Sequence, residues 1–215
     1  MMATEQLATG VAEFGIVLAE KQQAQLEDYL RLLMRWNRIY NLTSAHDEAT
    51  LVSAHLLDAL SVEPYLGDIR SLADIGSGAG LPGIPLAVAR PEMAVRLIES
   101  KQKKAAFLTQ AKIELGLTNV SIYCARAEDI RNVDSAEWQA VDAVIARALN
   151  DLAAFVRLGS GLLAPGGRLL AMKGAQSSAE IEMAALPAGW VVERCVPLRV
   201  PGLAAQRHLV IIGKA

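Results

Sequence analysis

The chain has 215 residues, with 21 basic and 23 acidic side chains and a formal net charge of −2 at pH 7. Its 53% apolar and 20% charged composition excludes a disordered chain, and its length suffices for a folded core without metals or disulfides. Two cysteines are too few for a disulfide framework or a four-ligand zinc site. We therefore expect a cytoplasmic globular protein that binds no metal and spans no membrane. The near-neutral charge argues against nucleic-acid binding by bulk electrostatics alone.

Residues 1 to about 70 are predicted to form a helical N-terminal extension. Within 20–43, apolar side chains recur at steps of three and four residues, which is typical of one buried helix face. These side chains are Leu26, Leu30, Leu33, Trp36 and Tyr40, so we expect Trp36 and Tyr40 to lie in the core and not to stack on bases. A second helix is predicted from Glu48 to about Tyr65. It carries His55, which we expect, like His208, to be a hydrogen-bonded structural histidine and not a base.

From residue 71 onward, short apolar strands alternate with helices. The predicted strands are 71–75, 95–99, 120–124, 141–146, 168–172, 190–197 and 208–213, and the predicted helices are 82–90, 101–116, 151–163 and 177–185. This alternation predicts an α/β domain over 71–215 with a parallel sheet covered on both faces. No helix separates the last two strands, so we expect them to pair antiparallel at one edge. Residues 165–167 are predicted to form a tight turn before the fifth strand.

A glycine-rich segment from Asp74 to Gly83 follows the first of these strands. Gly76, Gly78 and Gly80 complete the pattern D-x-G-x-G-x-G, and Gly83 extends it to the dinucleotide pattern G-x-G-x-x-G. Glycines allow the backbone to take positive φ and to approach a ligand at the carboxyl end of a strand. A Walker phosphate loop is excluded because neither Lys-Ser nor Lys-Thr follows the glycines.

Two cofactors fit this loop, a nicotinamide dinucleotide and S-adenosylmethionine. Glu99 stands 23 residues after Gly76, at the end of the second strand, where it would bind ribose hydroxyls of either cofactor. Asp74 favours S-adenosylmethionine, because a carboxylate suits an ammonium and a sulfonium but not a pyrophosphate. Glu128, just past the third strand, would meet the adenine amine. A nicotinamide-dependent oxidoreductase remains the enzymatic alternative.

The segment after the fourth strand bears on the methyl acceptor. It carries Arg147 and lacks the Asn/Asp-Pro-Pro-aromatic motif of exocyclic-amine methyltransferases, while neither Cys124 nor Cys195 lies in a Pro-Cys motif of pyrimidine C5 chemistry. An arginine fits a guanine whose N7 accepts the methyl group, because N7 carries no proton at neutral pH and needs only to be positioned. Arg147 would donate to O6 of the guanine or to a phosphate. Pairing of Arg147 with Asp142, or capping of the next helix, is the structural alternative.

Basic residues are the candidates for contacts with RNA. They are Arg31, Arg35, Arg38, Lys101, Lys103, Lys104, Lys173, Arg199 and Arg207. A solvated charged surface is the alternative, since Glu27 is spaced to pair with Arg31 on a helix. A noncatalytic RNA- or ribosome-binding protein with a vestigial cofactor pocket is therefore a second alternative function.

Several blocks together resemble the bacterial small-subunit ribosomal RNA methyltransferase G family, also called glucose-inhibited division protein B, over nearly the whole chain. The blocks are Trp36-Asn37 with Tyr40 to Thr43, His55 to Ala59, Asp74 to Pro85, Arg126 to Glu128, Ala146 to Ala148, Met172 to Gly174, and Arg207 to Val210. The resemblance implies a class I S-adenosylmethionine-dependent methyltransferase fold, a Rossmann-like seven-stranded, mostly parallel sheet with a helical N-terminal extension.

The resemblance also implies a substrate and a set of site residues. The implied reaction is methylation of N7 of a guanine in the decoding-region loop of 16S rRNA, in the 30S subunit or an assembly intermediate. The predicted cofactor-binding residues are Asp74, Gly76, Gly78, Gly80, Leu81, Glu99, Ala127, Glu128 and Arg147, of which Gly76, Leu81, Ala127, Glu128 and Arg147 match the family's contact positions. The predicted catalytic residues, which would orient the guanine, are Arg147, Lys173 and Arg207.

Overall fold

The computed structural model describes residues 3–45, 47–132, 138–147, 151–174 and 186–215. Its helices are α1 (Ala3–Glu13), α2 (Glu20–Tyr40), α3 (Glu48–Leu51), α4 (Asp58–Leu60), α5 (Gly83–Ala89), α6 (Gln102–Glu114) and α7 (Leu152–Gly159). Its strands are β1 (Ser71–Ile75), β2 (Ala94–Ile98), β3 (Val120–Tyr123), β4 (Val141–Arg147), β5 (Leu163–Lys173), β6 (Trp190–Leu198) and β7 (Arg207–Lys214). The helix predicted over 177–185 lies outside the described residues.

The N-terminal helices follow the predicted pattern with one interruption. Helix α2 ends at Tyr40 because Asn41 takes a left-handed conformation (φ 48°) and its N–H donates to the carbonyl oxygen of Asn37. The second predicted helix is present, but a π-helical segment over Val52–Leu57 separates α3 from α4, and a 3-10 turn follows at Glu63–Tyr65. Such π segments frequently occur at functional sites.

The seven strands form one mixed sheet in the order β3-β2-β1-β4-β5-β7-β6. Strands β1 to β5 are parallel, and β7 runs antiparallel between β5 and β6. Both the alternation and the antiparallel last pair are thus confirmed. The turn predicted at 165–167 is wrong, because these residues lie within β5. The pairing steps from Val141 with Leu163 to Ala143 with Arg168, so the extra residues form a bulge.

The sheet is buried on both faces. Along β4, Ala143 and Ile145 join one apolar cluster, while Val144 and Ala146 join another. Because neighbouring residues of a strand point to opposite faces, the two clusters cover opposite sides of the sheet. The first cluster also contains the apolar side chains of α2, so the N-terminal helices and the sheet share a core. The division at residue 70 stays a prediction.

Candidate functional site

The glycine loop between β1 and α5 folds over the end of β2. Gly76 and Gly78 have φ of 68° and 58°, in the left-handed region that favours glycine. The N–H groups of Gly76 and Ser77 donate to the carbonyl oxygen of Ile98 at 2.9 and 3.1 Å. A Cβ at Gly76 would meet no atom within 4 Å, so the space beside the loop is open to a ligand. The loop therefore lies at the carboxyl ends of the strands, where ligands bind in this class of sheet.

Asp74, near the end of β1, lies beneath the glycine loop. The side chain is fully buried, and its Oδ2 accepts a hydrogen bond from the N–H of Gly83 at 3.0 Å. Burial raises the pKa of Asp74 to about 7, because the charged form is poorly solvated there. The other oxygen, Oδ1, has no hydrogen-bond partner among the described residues. The bond to Gly83 holds the start of α5, and the cofactor-binding role of Asp74 stays a prediction.

Glu99 also holds the loop. It is buried just after β2, where Oε2 accepts from the N–H of Gly78 at 2.9 Å and Oε1 accepts from the N–H of Lys101 at 2.8 Å. Each carboxylate oxygen keeps a second lone pair, which is available to a ligand hydroxyl. The ribose-binding role of Glu99 stays a prediction that this geometry permits.

Helix α2 supports the loop from the N-terminal extension. The hydroxyl of Tyr29, which is fully buried, donates to the carbonyl oxygen of Ala79 at 2.5 Å. The side chain of Asn37 donates to the carbonyl oxygen of Ala45 and accepts from the N–H of Thr43, both at 2.7 Å. These contacts fix the segment that follows α2 beside the glycine loop. The sequence held one signal for this contact, a tyrosine on the apolar face of α2, because a buried hydroxyl group needs a hydrogen-bond partner.

A cleft of about 230 Å³ opens beside the loop. Its lining residues are Leu42, Thr43, Ser44, His55, Gly76, Ser77, Gly78, Ala79, Leu81, Lys104 and Arg147. A larger cavity, of about 500 Å³, lies at the opposite end of the strands around Asp142 and Gly166. We assign function to the smaller cleft because it lies at the carboxyl ends of β1 and β4. Ala127 is buried and Glu128 exposed just past β3, and neither lines this cleft.

Arg147, the last residue of β4, is fixed by the N-terminal extension. Its Nη1 donates to Oδ2 of Asp58 at 3.2 Å and to the carbonyl oxygen of Ala54 at 3.3 Å. Asp58 is 2% exposed, and its Oδ1 accepts from Nε of Arg207 at 3.1 Å. One buried carboxylate thus brings together two of the three predicted catalytic residues. Both structural alternatives for Arg147 are wrong, since Asp142 binds Arg70 and Ser71 and the cap of α7 is Asp151.

Asp58 is a candidate functional residue that the sequence analysis did not single out. It lay inside a recognised block, but nothing in its spacing linked it to arginines 89 and 149 positions away. Burial raises the pKa of Asp58 while the two arginines lower it, and the net direction is upward. Two guanidinium groups on one carboxylate still leave donors of each arginine free for a ligand, because each guanidinium carries five N–H groups.

The remaining predicted catalytic residue is Lys173, at the end of β5. The Cα of its neighbour Met172 pairs with that of Arg147, so Lys173 lies at the same end of the sheet. His208, opposite Lys173 on β7, donates from Nδ1 to the carbonyl oxygen of Gly174 at 3.0 Å. The expectation that His208 is a hydrogen-bonded structural histidine is confirmed by this contact.

His55 differs from its expectation. It is 8% exposed, and its Nδ1 lies 3.2 Å from Nη2 of Arg147, but its Nε2 is buried without a partner among the described residues. Burial and the positive charge of Arg147 lower the pKa of His55 to about 4. The ring is therefore neutral at pH 7, and only one of its two nitrogens is hydrogen-bonded.

Two groups among the basic candidates have different surroundings. Arg31 pairs with Glu27 and Asp28, and Arg35 pairs with Glu114, as the solvated-surface alternative predicts. The second group, Lys101, Lys103 and Lys104, lines a groove of about 450 Å³ together with Tyr40, Asn41, Leu42 and Gln102. This groove shares Leu42 and Lys104 with the cleft. Within the described ranges, no ion pair neutralises these three lysines.

The two aromatic residues near the end of α2 have different environments. Trp36 packs against the core and lies edge-on to Phe107 at 5.5 Å between ring centroids, as expected. Tyr40 is 44% exposed, and its ring is tilted against that of Trp36 at 5.2 Å between centroids, so its predicted core position is wrong. Tyr40 is the last residue of α2 and lines the lysine groove.

The residues that the structure describes contain neither a candidate metal site nor a membrane-spanning helix. No group of three His, Cys, Asp or Glu side chains is placed to hold a metal ion. No helix combines the length and the apolar character needed to cross a membrane.

Sequence comparison identifies close relatives of this chain. Residues 22–210 match the family model described as rRNA small subunit methyltransferase G. The ribosomal RNA small subunit methyltransferase G of Aromatoleum aromaticum is 50% identical over 215 residues, which cover 98% of this chain and 99% of that protein. The protein of the same name from Nitrosospira multiformis is 46% identical over 222 residues, which cover 100% of this chain and 99% of that protein.

Solved structures share the fold at low sequence identity. The O-methyltransferase TomG from Streptomyces achromogenes, in complex with S-adenosylmethionine, has a TM-score of 0.62 at 16% identity, with 100% of both chains covered. A S-adenosylmethionine-dependent methyltransferase from Aquifex aeolicus has a TM-score of 0.58 at 17% identity, covering 77% of this chain and 93% of that chain. The predicted fold class, a Rossmann-like methyltransferase sheet preceded by helices, is confirmed.

Proposed function

The chain belongs to the rRNA small subunit methyltransferase G family, and on that premise we propose that it methylates N7 of a guanine in the decoding-region loop of 16S rRNA. Its cofactor is S-adenosylmethionine, and the oxidoreductase alternative is excluded by the family. We place the reaction in the bacterial cytoplasm, on the 30S subunit or an assembly intermediate. The reaction forms the N7–CH3 bond as the CH3–S bond breaks, and the positive charge passes from sulfur to the guanine ring without transfer of a proton.

The geometry of the glycine loop supports the proposed cofactor site. The open space beside Gly76, the buried Glu99 at the end of β2 and the left-handed backbone at Gly78 together suit a nucleoside ligand that lies against the main chain. Asp74, which lies beneath the loop and whose Oδ1 has no partner among the described residues, would provide a carboxyl group near a cationic ligand. These residues would hold the methyl donor.

The N7 assignment rests on the lack of a free proton acceptor among the described residues that line the cleft. None of the described residues that line it carries a carboxylate, and Nδ1 of His55 already accepts from Arg147. Asp58 is committed to two arginines. Methylation of an exocyclic amine or a protonated ring nitrogen requires loss of a proton, whereas N7 of guanine presents a free lone pair. A cleft with donors and no free base therefore favours N7.

Arg147 and Arg207 would orient the base. Asp58 holds both side chains, so their remaining N–H groups are preorganised before the RNA binds. A planar guanidinium suits the acceptor edge of guanine or a phosphate oxygen of its nucleotide. Alignment of N7 with the methyl group then supplies the rate acceleration, and no general base is needed.

The groove beside the cleft would carry the RNA strand. Lys101, Lys103 and Lys104 offer three cations to the phosphate backbone, and Tyr40 offers an exposed ring for stacking. This local cluster explains how a chain with a net charge of −2 binds a polyanion. Arg31 and Arg35 are not needed for binding in this account, because acidic side chains already pair with them.

Transfer of a tritiated methyl group from S-adenosylmethionine tests the proposed function. The substrates are naked 16S rRNA, 30S subunits and, as a control, 23S rRNA. We expect label in 16S rRNA alone, and the better of its two forms identifies the assembly stage. RNA binding without any transfer of label would contradict the proposal and support the noncatalytic alternative.

A further inference from the structure

The tautomer of His55 is fixed by its neighbour. Nδ1 lies 3.2 Å from Nη2 of Arg147, and a guanidinium can only donate hydrogen bonds, so Nδ1 is the acceptor. A neutral imidazole that accepts at Nδ1 carries its proton on Nε2. Burial and the charge of Arg147 keep the ring neutral at pH 7 by lowering the pKa of His55 to about 4. Nε2 therefore bears an N–H donor.

This donor is unsatisfied. More than nine-tenths of His55 is buried, and its Nε2 has no acceptor among the described residues. Buried polar groups in native proteins are nearly always hydrogen-bonded, and the exceptions call for an explanation. The ring lines the same cleft as the glycine loop and Arg147. The missing acceptor is accordingly expected from a ligand in that cleft.

The position of His55 in the fold indicates which ligand supplies the acceptor. The loop and Glu99 occupy the ends of β1 and β2, on the side of the sheet that leads to β3. Arg147 ends β4, on the other side of β1, and His55 is bonded to it. His55 thus lies with Arg147 on the β4 side of β1, the side from which Arg147 would reach the methyl acceptor.

We propose that Nε2–H of His55 donates a hydrogen bond to O6 of the target guanine and makes the site specific for guanine. The proposal rests on the proposed N7 methylation. Beside N7, guanine presents the acceptor O6, whereas adenine presents an amino group at the same place. A fixed N–H donor bonds to O6 but opposes the adenine amine, because two donors then face each other with no acceptor between them.

Two substitutions separate the distal donor from the contact with Arg147. His55→Asn keeps an oxygen near the position of Nδ1 and removes the distal N–H, whereas His55→Gln keeps an N–H near the position of Nε2. With the full chain, 16S rRNA or 30S subunits, and S-adenosylmethionine, we expect His55→Asn to lower kcat/KM for RNA about 10-fold, while His55→Gln stays within about 3-fold of wild type. Calorimetric titration should give an unchanged Kd for S-adenosylmethionine in both variants.

A modified substrate tests the contact with O6 itself. In 16S rRNA with 2-aminopurine riboside at the target position, N7 is kept and O6 is replaced by hydrogen. The analogue changes the nucleophilicity of N7 equally for wild type and for His55→Asn. The ratio of their rates on guanine and on the analogue therefore isolates the hydrogen bond from His55 to O6. We expect the deficit of about 10-fold seen on guanine to disappear on the analogue.

Three results would overturn the proposal. An equal deficit on guanine and on the analogue would make His55 a positioning residue for Arg147. A raised Kd for S-adenosylmethionine in His55→Asn would make it a cofactor contact. Methylation by the wild-type enzyme at an atom other than N7 would overturn the proposed function together with this inference, and mapping of the wild-type product distinguishes that case from the first two.

Discussion

Nη1 of Arg147, at the end of β4, lies 3.2 Å from Oδ2 of Asp58, the first residue of α4. The contact joins the N-terminal extension to the carboxyl end of β4, beside the candidate cleft. Oδ1 of Asp58 also accepts a hydrogen bond from Nε of Arg207 on β7. A single buried carboxylate thus sets the positions of two arginines from different strands. The helices before the sheet are therefore part of the candidate active site and do more than cover the sheet.

Removal of Arg147 should abolish most catalysis without unfolding the protein. Arg147→Ala is expected to lower methyl transfer about 100-fold, because it deletes a preorganised donor at the reacting base. Arg147→Lys keeps the charge but loses the planar fork, so it should restore transfer only in part. Single-turnover transfer to RNA and a thermal unfolding curve are the measurements.

The exposed Arg157, which pairs with Asp151 on α7, provides the matched control for Arg147. Arg157→Ala should leave transfer unchanged. Wild-type turnover in Arg147→Ala would remove this residue from the mechanism.

Asp74 should make stability depend on pH in an unusual direction. Its folded-state pKa of about 7 lies above the ordinary value of an unfolded aspartate, so the folded state binds the proton more tightly. This contribution to stability is complete at low pH and is lost as the pH rises toward 7. Relative to Asp74→Asn, wild type should therefore gain roughly 3 kcal/mol in free energy of unfolding between about pH 8 and about pH 5. Urea unfolding at both pH values measures it.

Asp142 provides a control of opposite sign. Burial raises the pKa of Asp142, but hydrogen bonds from the N–H of Arg70 and from Ser71 outweigh burial and lower it overall. Relative to Asp142→Asn, wild type should lose stability as the pH falls through the folded-state pKa of this carboxyl group. The same pH trend for both pairs would refute the role assigned to burial at Asp74.

Tyr29 should couple α2 to cofactor affinity. Tyr29→Phe keeps the ring against Phe107 but removes the hydrogen bond to the carbonyl oxygen of Ala79. We expect a loss of about 1 kcal/mol in stability and a several-fold rise in the Kd for S-adenosylmethionine, because the loop loses its support from the helix. Calorimetric titration measures the Kd. A variant that loses stability while its Kd is unchanged would show that the contact has no part in cofactor binding.

The lysine groove should determine the salt dependence of RNA binding. Lys103→Glu is expected to weaken RNA binding and to reduce the slope of log Kd against log salt by about one, with cofactor binding unaffected. Arg31→Glu is the matched charge reversal, at a side chain that is 63% exposed and already paired. Titrations at several salt concentrations measure both slopes. An equal effect at Arg31 would mean that the protein attracts RNA through overall charge and not through this groove.

The sequence predicted those features that depend on local pattern. The apolar spacing from Leu26 to Trp36 predicted α2, and the alternation after residue 71 predicted the parallel sheet with its antiparallel last pair. The glycine pattern from Gly76 to Gly80 placed the loop correctly at the end of β1. The signal that defines each single helix, strand or loop lies within about twenty residues, the range over which periodicity and turn chemistry act.

The features that were missed depend on contacts between distant segments. Tyr29 and Ala79 are 50 residues apart, and Arg147 and Asp58 are 89 apart. Spacing within a segment does not reveal which buried carboxylate will meet which arginine. The burial of Asp74 was also not predicted, because it depends on the tight packing of Gly83 against this side chain.

The measurement that tests the central claim most directly is identification of the methylated atom. After reaction of the enzyme with S-adenosylmethionine and its preferred form of 16S rRNA, borohydride reduction and aniline treatment cleave the strand at 7-methylguanosine. We predict one new cleavage, at a single guanine of the decoding-region loop, that requires both enzyme and cofactor. Transfer of label without cleavage, with the methyl group recovered on an exocyclic amine or on N1 of guanine, would contradict a site that holds its acceptor by donors alone.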